Sequence, residues 1–315
     1  VEKKKILISG GNGFLGGHLK PLLANAGYEV HSPRSSEVDF RDLRQVRECF
    51  ELLKPDWIIH LAARVGGIEY NKTRHAEQLY DNTSMLLSVL EGARQSGCLK
   101  VLLCGSVCAY SGNAPIPFKE ESGLFSGTPE ETVFGYGNAK RLFIPFAEAY
   151  SRQYGMDIKL PVLANLYGPG DDFNLESCHV IPAMIRRFAE AAERQDKSIT
   201  LWGSGKVSRE FLYVKDAAEV IFRALTNDTG FAPFNVGSGE ECQILELVNT
   251  LSEILGYEGE IIWDTTRPDG HPRRKLDLEY FNSLFPDWQG TSLKEGLKAT
   301  VEFYFSEVKG KDYRK

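Results

Sequence analysis

Short apolar runs alternate with helical periods through the first half of the chain. Ile6-Leu7-Ile8, running on to Ser9, reads as a buried strand, and residues 16–26 carry the helix that it feeds. The alternation repeats as strand 28–31, helix 44–53, strand 57–61, long helix 76–95 and apolar run 101–105. A loop rich in Pro, Gly and Ser then covers 111–128, followed by a helix running to about residue 154 and a strand at 158–162. Unbroken apolar strands joined by helices predict an α/β fold on a doubly wound parallel sheet. Beyond residue 165 the pattern loosens into loop 168–172, helix 180–193, strand 200–202 and helix 215–225, then strand 234–236, helix 244–255 and strand 261–263. This predicts a smaller C-terminal α/β lobe that binds substrate. The expected division sets 1–164 plus 207–231 against 165–206 plus 232–315, with the site in the crevice between.

Composition narrows the function. The chain has 315 residues, 42% hydrophobic and 25% charged, which suits a globular protein with two packed lobes. A net charge of -6 argues against a general nucleic-acid binder. No apolar run approaches the roughly 20 residues that span a bilayer. The lysine-rich start runs directly into the first strand, so no signal peptide is expected. Cysteines 49, 98, 104, 108, 178 and 242 show no paired spacing, so neither a disulfide scaffold nor a metal site is expected. A cytoplasmic protein without a structural metal fits these features.

Chemistry enters at the first turn. Gly10-x-x-Gly13-x-x-Gly16, enclosing Phe14 and Leu15, follows a strand and opens a helix. That spacing lets the backbone approach a pyrophosphate at a helix N-terminus, the mark of a Rossmann-type dinucleotide site. The second strand should end at the adenosine ribose, where an acid would select NAD. Here the stretch reads His31-Ser32-Pro33-Arg34-Ser35-Ser36, with no acid before Glu37. Arg34, Ser35 and Ser36 are therefore expected to hold a 2′-phosphate, making the cofactor NADP(H). Asp39 and Phe40 are expected at the adenine, and Leu61, Ala62 and Ala63 where the backbone passes the cofactor. His60 reads as structural.

Tyr136 and Lys140 stand four apart on a predicted helix and so share a face. A neighbouring ammonium is expected to lower the phenol pKa from about 10. Ser106 follows the strand before this helix and is expected beside Tyr136, where its hydroxyl can orient a carbonyl. In this order, after the glycine turn, the three residues match the triad of short-chain dehydrogenases/reductases.

Longer motifs sharpen the resemblance. His60-Leu61-Ala62-Ala63-Arg64-Val65-Gly66-Gly67-Ile68, Asn165-Leu166-Tyr167-Gly168-Pro169 and Ser177-Cys178-His179-Val180-Ile181-Pro182 resemble the GDP-L-fucose synthase family of extended short-chain dehydrogenases/reductases. So do Leu201-Trp202-Gly203-Ser204-Gly205, Arg209-Glu210-Phe211-Leu212 and Arg267-Pro268-Asp269-Gly270. The resemblance runs from Ile6 to about Leu297. It implies epimerisation of GDP-4-keto-6-deoxy-D-mannose at C3 and C5, followed by NADPH reduction of the C4 ketone. It carries the epimerising acid–base pair onto Cys108 and His179, and places sugar-nucleotide contacts at Arg187, Trp202, Arg209 and Asp277. Asn165 and Leu166 are expected beside the cofactor. A homodimer formed through helices 76–95 and 136–154 is likewise implied.

The chain departs from the family at two places. Asn12 stands in the glycine turn where bacterial members often carry a basic residue, which moves the expected phosphate grip onto Arg34. Residues 111–132 are not closely family-like and lie where the sugar should sit, so hexose, heptose and 3-deoxy sugars all stay open. The alternative is a C4 reductase of a GDP-4-keto-6-deoxy sugar without epimerisation. A redox-sensing binding module is disfavoured, because it has no use for Ser106, Tyr136 and Lys140 together.

Overall fold

The structure, a computed structural model, describes residues 3–227, 229–266 and 271–311. The chain opens with β1 (Lys5–Ser9), α1 (Phe14–Asn25), β2 (Glu29–His31), α2 (Leu43–Leu53), β3 (Trp57–His60), the short α3 (Ile68–Thr73) and α4 (His75–Ser96). It continues through β4 (Lys100–Leu103), β5 (Gly105–Ser106), the one-turn α5 (Glu120–Gly123), α6 (Phe134–Tyr154) and β6 (Asp157–Leu163). Apart from α3, β5 and α5, which the periodicity did not announce, these elements match the expected ones to within a few residues at each end.

The large sheet has the order β10-β6-β4-β3-β1-β2, with β10 (Pro233–Val236) at one edge and β5 beside β6. Its pairings are parallel. Helices cover both faces, so the central strands bury every position rather than alternate ones. Ile6, Leu7, Ile8, Ile58, Ile59, Val101, Leu102 and Leu103 are all fully buried. Each such side chain contributes about 1.5–3 kcal/mol of transfer free energy. The chain winds from β1 outward to β2, then crosses back to β3 on the other side. The strand order therefore reverses between β1 and β3, and a doubly wound sheet binds ligands outside that point.

The second lobe comprises β7 (Asn165–Tyr167), α7 (Val180–Arg194), β8 (Ser198–Trp202), β9 (Ser208–Tyr213), β11 (Glu241–Gln243), α9 (Ile244–Leu255), β12 (Glu260–Asp264), β13 (Arg273–Arg274) and α11 (Leu293–Phe303). Strand β9 pairs with β7, β11 and β13, while β8 pairs with β12. A separate core around Phe188, Leu247, Leu251 and Leu297 holds this lobe together. Its helices start where their sequences cap them: Gln243 with Glu246, and Ser292 with Glu295, form reciprocal boxes at α9 and α11.

The expected division of the chain needs correction. Residues 208–213, assigned by sequence to the cofactor lobe, form the central strand β9 of the small sheet. Residues 233–236, assigned to the substrate lobe, pair with β6 in the large sheet. Helix α8 (Val214–Ala224) packs on α1, and α10 (Glu279–Leu284) packs beneath β10. There Phe285 lies 6.0 Å from Phe234, and Phe281 lies 5.1 Å from Trp288. A four-residue apolar run carries no mark of which sheet it will join, and the chain crosses between the lobes more often than periodicity reveals.

Residues 111–128 are also more than a loop. Tyr110 stacks on Phe118 at 4.9 Å, Leu124 is fully buried, and Phe118 bridges to Leu276. This segment is tied into the core of the large lobe. Among the described residues no helix is long and apolar enough to cross a membrane.

Candidate active site

The glycine turn sits at the reversal of strand order. Gly10 has φ +72°, and a Cβ there would meet the Ala62 nitrogen at 2.6 Å. Thus the ends of β1 and β3 close on one another only with glycine at this position. Ser9 Oγ bonds His60 Nδ1 at 2.7 Å and accepts from the Ala62 N–H at 3.4 Å, locking the two strand ends together. Burial, aided by the Lys140 charge, holds His60 down to about 3, so its ring is neutral. This agrees with a structural His60. Helix α1 begins at Gly13 with no side-chain cap, so its first N–H groups are left for an anion. An uncapped N-terminus beneath a close backbone approach fits a dinucleotide pyrophosphate. Phe14 packs edge-on to His18, whose Nε2 meets the Pro169 carbonyl at 2.7 Å, while Leu15 is buried beneath the turn. Gly10→Ala combines backbone strain with overpacking. It is expected to cost about 2–4 kcal/mol, read as a lower thermal midpoint together with weaker NADPH binding. An unchanged midpoint and affinity would show that the two strand ends part without cost.

Arg34, Ser35 and Ser36 are exposed on the loop after β2. The Arg34 backbone N–H donates to Glu37 at 2.6 Å. Asp39 and Phe40 follow on the same stretch. The Asp39 carboxylate is bound by Arg41, which also reaches Asp81, and Phe40 is buried in the core. This ion pair depresses the Asp39 pKa. Asp39 is thus held in place by Arg41. Asn165 and Leu166 are half-buried on β7, paired with Phe211 and Leu212 of β9.

The structure brings Ser106, Tyr136 and Lys140 together. Ser106 ends β5 and hydrogen-bonds Tyr136, and its Oγ also accepts from the Cys108 N–H at 3.3 Å. Lys140 Nζ donates to the Cys104 carbonyl at 2.7 Å and lies 5.8 Å from the Tyr136 ring centroid. Gly137 lets α6 pack close against the turn after Ser106, because a Cβ there would clash with the Cys108 carbonyl oxygen. The expected lowering of the phenol pKa is overturned. Burial dominates and pushes Tyr136 up; Cys108 and Cys104 add to the rise, and the Ser106 bond opposes it. Burial also pulls Lys140 down to about 8. Near neutral pH the site therefore holds an un-ionised phenol that can donate a proton.

Cys108 is half-buried on the turn after Ser106. His179 is exposed at the head of α7, on the other lobe. The Ser177 and Cys178 carbonyls before it lie against Gly67, in the loop that follows β3. Arg187 and Arg209 bond to the Thr200 and Ser208 carbonyls, at 2.6 and 2.7 Å. Among the described residues neither pairs with a carboxylate, and burial lowers both pKa values. Two guanidinia held this way can receive a diphosphate. Trp202, at the end of β8, is 71% exposed. The Asp277 Oδ1 accepts from the Glu279 N–H at 3.0 Å, and its backbone carbonyl accepts from Asn235. Its carboxylate is thus partly spent within the large lobe. The motif Arg267-Pro268-Asp269-Gly270 lies outside the described residues.

Sequence reasoning missed Glu130, His271 and Arg274, which line a small cavity with Cys108. Arg274 pairs with Glu130, and His271 Nδ1 stands 3.8 Å from Glu130 Oε1. They meet across more than 130 residues of chain, which no local spacing announces. It also missed Lys20, whose ammonium reaches Asn12.

Residues 6–237 match the model of the NAD dependent epimerase/dehydratase family. A GDP-L-fucose synthase from Sinorhizobium fredii is 36% identical over 309 residues, covering 98% of this chain and 98% of that protein. A GDP-L-fucose synthetase from Naegleria fowleri, solved bound to NADP, superposes with TM-score 0.87 at 27% identity, covering 97% of this chain and 93% of its own. A GDP-mannoheptose C4 reductase from Campylobacter jejuni, with NADP bound, also gives 0.87 at 27% identity, with coverage of 96% and 99%.

Proposed function

The chain belongs to the NAD dependent epimerase/dehydratase family, and we propose that within it the protein is an NADPH-dependent epimerase and reductase of a GDP-4-keto-6-deoxy-hexose. It epimerises C3 and C5 and reduces the C4 ketone, giving GDP-L-fucose or a close relative. The observation that carries this reading is the grouping of Ser106 with the buried Tyr136 and Lys140, and Cys108 one turn away. A proton donor for a ketone oxygen and a thiol for the flanking carbons thus share one site.

Carbons 3 and 5 flank the ketone, so their protons are acidified and leave to give an enolate. Cys108 takes the proton from one face, and His179, on the facing lobe, returns one to the other. Ser106 orients the carbonyl, and Tyr136 protonates O4 as the ketone is reduced. Lys140 holds the nicotinamide ribose and keeps a positive charge beside the phenol. When bound, NADPH supplies the hydride. Arg187 and Arg209 grip the diphosphate, and Trp202 offers a flat face to sugar or base. A homodimer through α4 and α6 and a cytoplasmic location complete the reading. Exposed Tyr80, Leu87 and Tyr154 on those helices support the first, and six free cysteines the second.

The resemblance to the C4 reductase favours one rival, reduction without epimerisation. Turnover of GDP-4-keto-6-deoxy-mannose with NADPH in deuterated water separates the two. Two solvent deuterons at C3 and C5 of a GDP-L-fucose product are expected. A C4-reduced product of unchanged C3 and C5 configuration, carrying no deuterium there, would establish the rival.

A further inference from the structure

The residue that makes this chain choose NADPH over NADH, we propose, is Lys20, and its ligand is the 2′-phosphate of the adenosine ribose. The inference builds on NADP as the cofactor. Lys20 lies on α1, and its Nζ is 2.7 Å from Asn12 Oδ1 and 3.5 Å from Ser32 Oγ. Ser32 Oγ also donates to Asn12 Oδ1 at 3.3 Å, and Asn12 Nδ2 donates to the Ser32 carbonyl at 3.0 Å. These four contacts tie the glycine turn to the residue just after β2. In a doubly wound dinucleotide fold the adenosine ribose rests between those two points.

The charge there is unbalanced. Asn12 and Ser32 are neutral, and among the described residues no carboxylate pairs with Lys20. No acid precedes Glu37 on the loop after β2, so nothing at this end favours a bare 2′-hydroxyl. An ammonium anchored by two neutral oxygens, next to an amide with a second N–H to donate, is built for a compact anion. Arg34 is the weaker contributor, because it is exposed and among the described residues nothing holds its guanidinium in place. No motif points to Lys20: its relation to Ser32 exists only once α1 and β2 are folded.

The test is calorimetric titration of the full chain with 2′,5′-ADP and with 5′-AMP. Lys20→Met should weaken 2′,5′-ADP binding by about 10–100-fold and leave 5′-AMP unchanged. It should weaken 2′,5′-ADP binding more than Arg34→Met does. Because residue 12 touches the ammonium, Asn12→Arg in the Lys20→Met background should restore most of the affinity, which a merely unfolded variant would not allow. Retention of wild-type 2′,5′-ADP affinity by Lys20→Met, or a larger loss in Arg34→Met, overturns the assignment. Equal binding of 2′,5′-ADP and 5′-AMP by the unaltered chain instead overturns the choice of NADP, and the proposal falls with it.

Discussion

Tyr136→Phe is expected to slow C4 reduction by about 10²–10⁴-fold while leaving deuterium exchange at C3 and C5 intact. The ring is buried, so phenylalanine keeps its packing and only the hydroxyl is lost. Losing the bond to Ser106 should cost stability by only about 1 kcal/mol. The chemical cost is far larger, because the alkoxide forming at O4 is left without its proton donor. Burial favours the un-ionised phenol, so the donor is loaded at neutral pH without help from a neighbouring cation. The matching measurements are the rate of NADPH consumption and the deuterium content of the recovered keto sugar. Should exchange vanish together with reduction while the substrate still binds, the division of labour between Tyr136 and Cys108 is wrong.

That phenol shows where sequence reasoning stops. The four-residue spacing of Tyr136 and Lys140 was legible, as were the strand before Ser106 and the glycine turn at Gly10, because each is a local pattern. The direction of the Tyr136 shift was not, since it depends on how completely the folded chain excludes water from the ring. The same limit hides the setting of Asp39: its partner Arg41 stands two residues on, but Asp81, which fixes Arg41 from the other side, lies forty residues beyond Arg41. It explains the lobes too. Phe234 and Val236 read equally well as a strand of either sheet, and only pairing with β6 places them. Arg187 and Arg209 came from resemblance alone. What the fold adds is that both guanidinia are half-buried against backbone carbonyls rather than spent on carboxylates.

Cys108→Ser and His179→Gln are expected to fail in different ways, and the difference tests the epimerase half of the reaction. Inversion at a carbon needs a base on one face and an acid on the other. Cys108 stands on the turn after β5 in the large lobe, and His179 heads α7 in the small one. A serine hydroxyl ionises far less readily than a thiol, so Cys108→Ser should lower deuterium entry at C3 and C5 by at least about 10²-fold. His179→Gln leaves the thiol in place. The proton is still removed, but it returns to the face it left, so deuterium should enter without inversion. Mass spectrometry of the keto sugar reads the first property and NMR of the reduced product the second. Both variants should still reduce a C4 ketone that needs no epimerisation, because Ser106, Tyr136 and Lys140 are untouched. Exchange at both carbons undiminished in Cys108→Ser would remove the thiol from the mechanism, and inversion undiminished in His179→Gln would remove the imidazole.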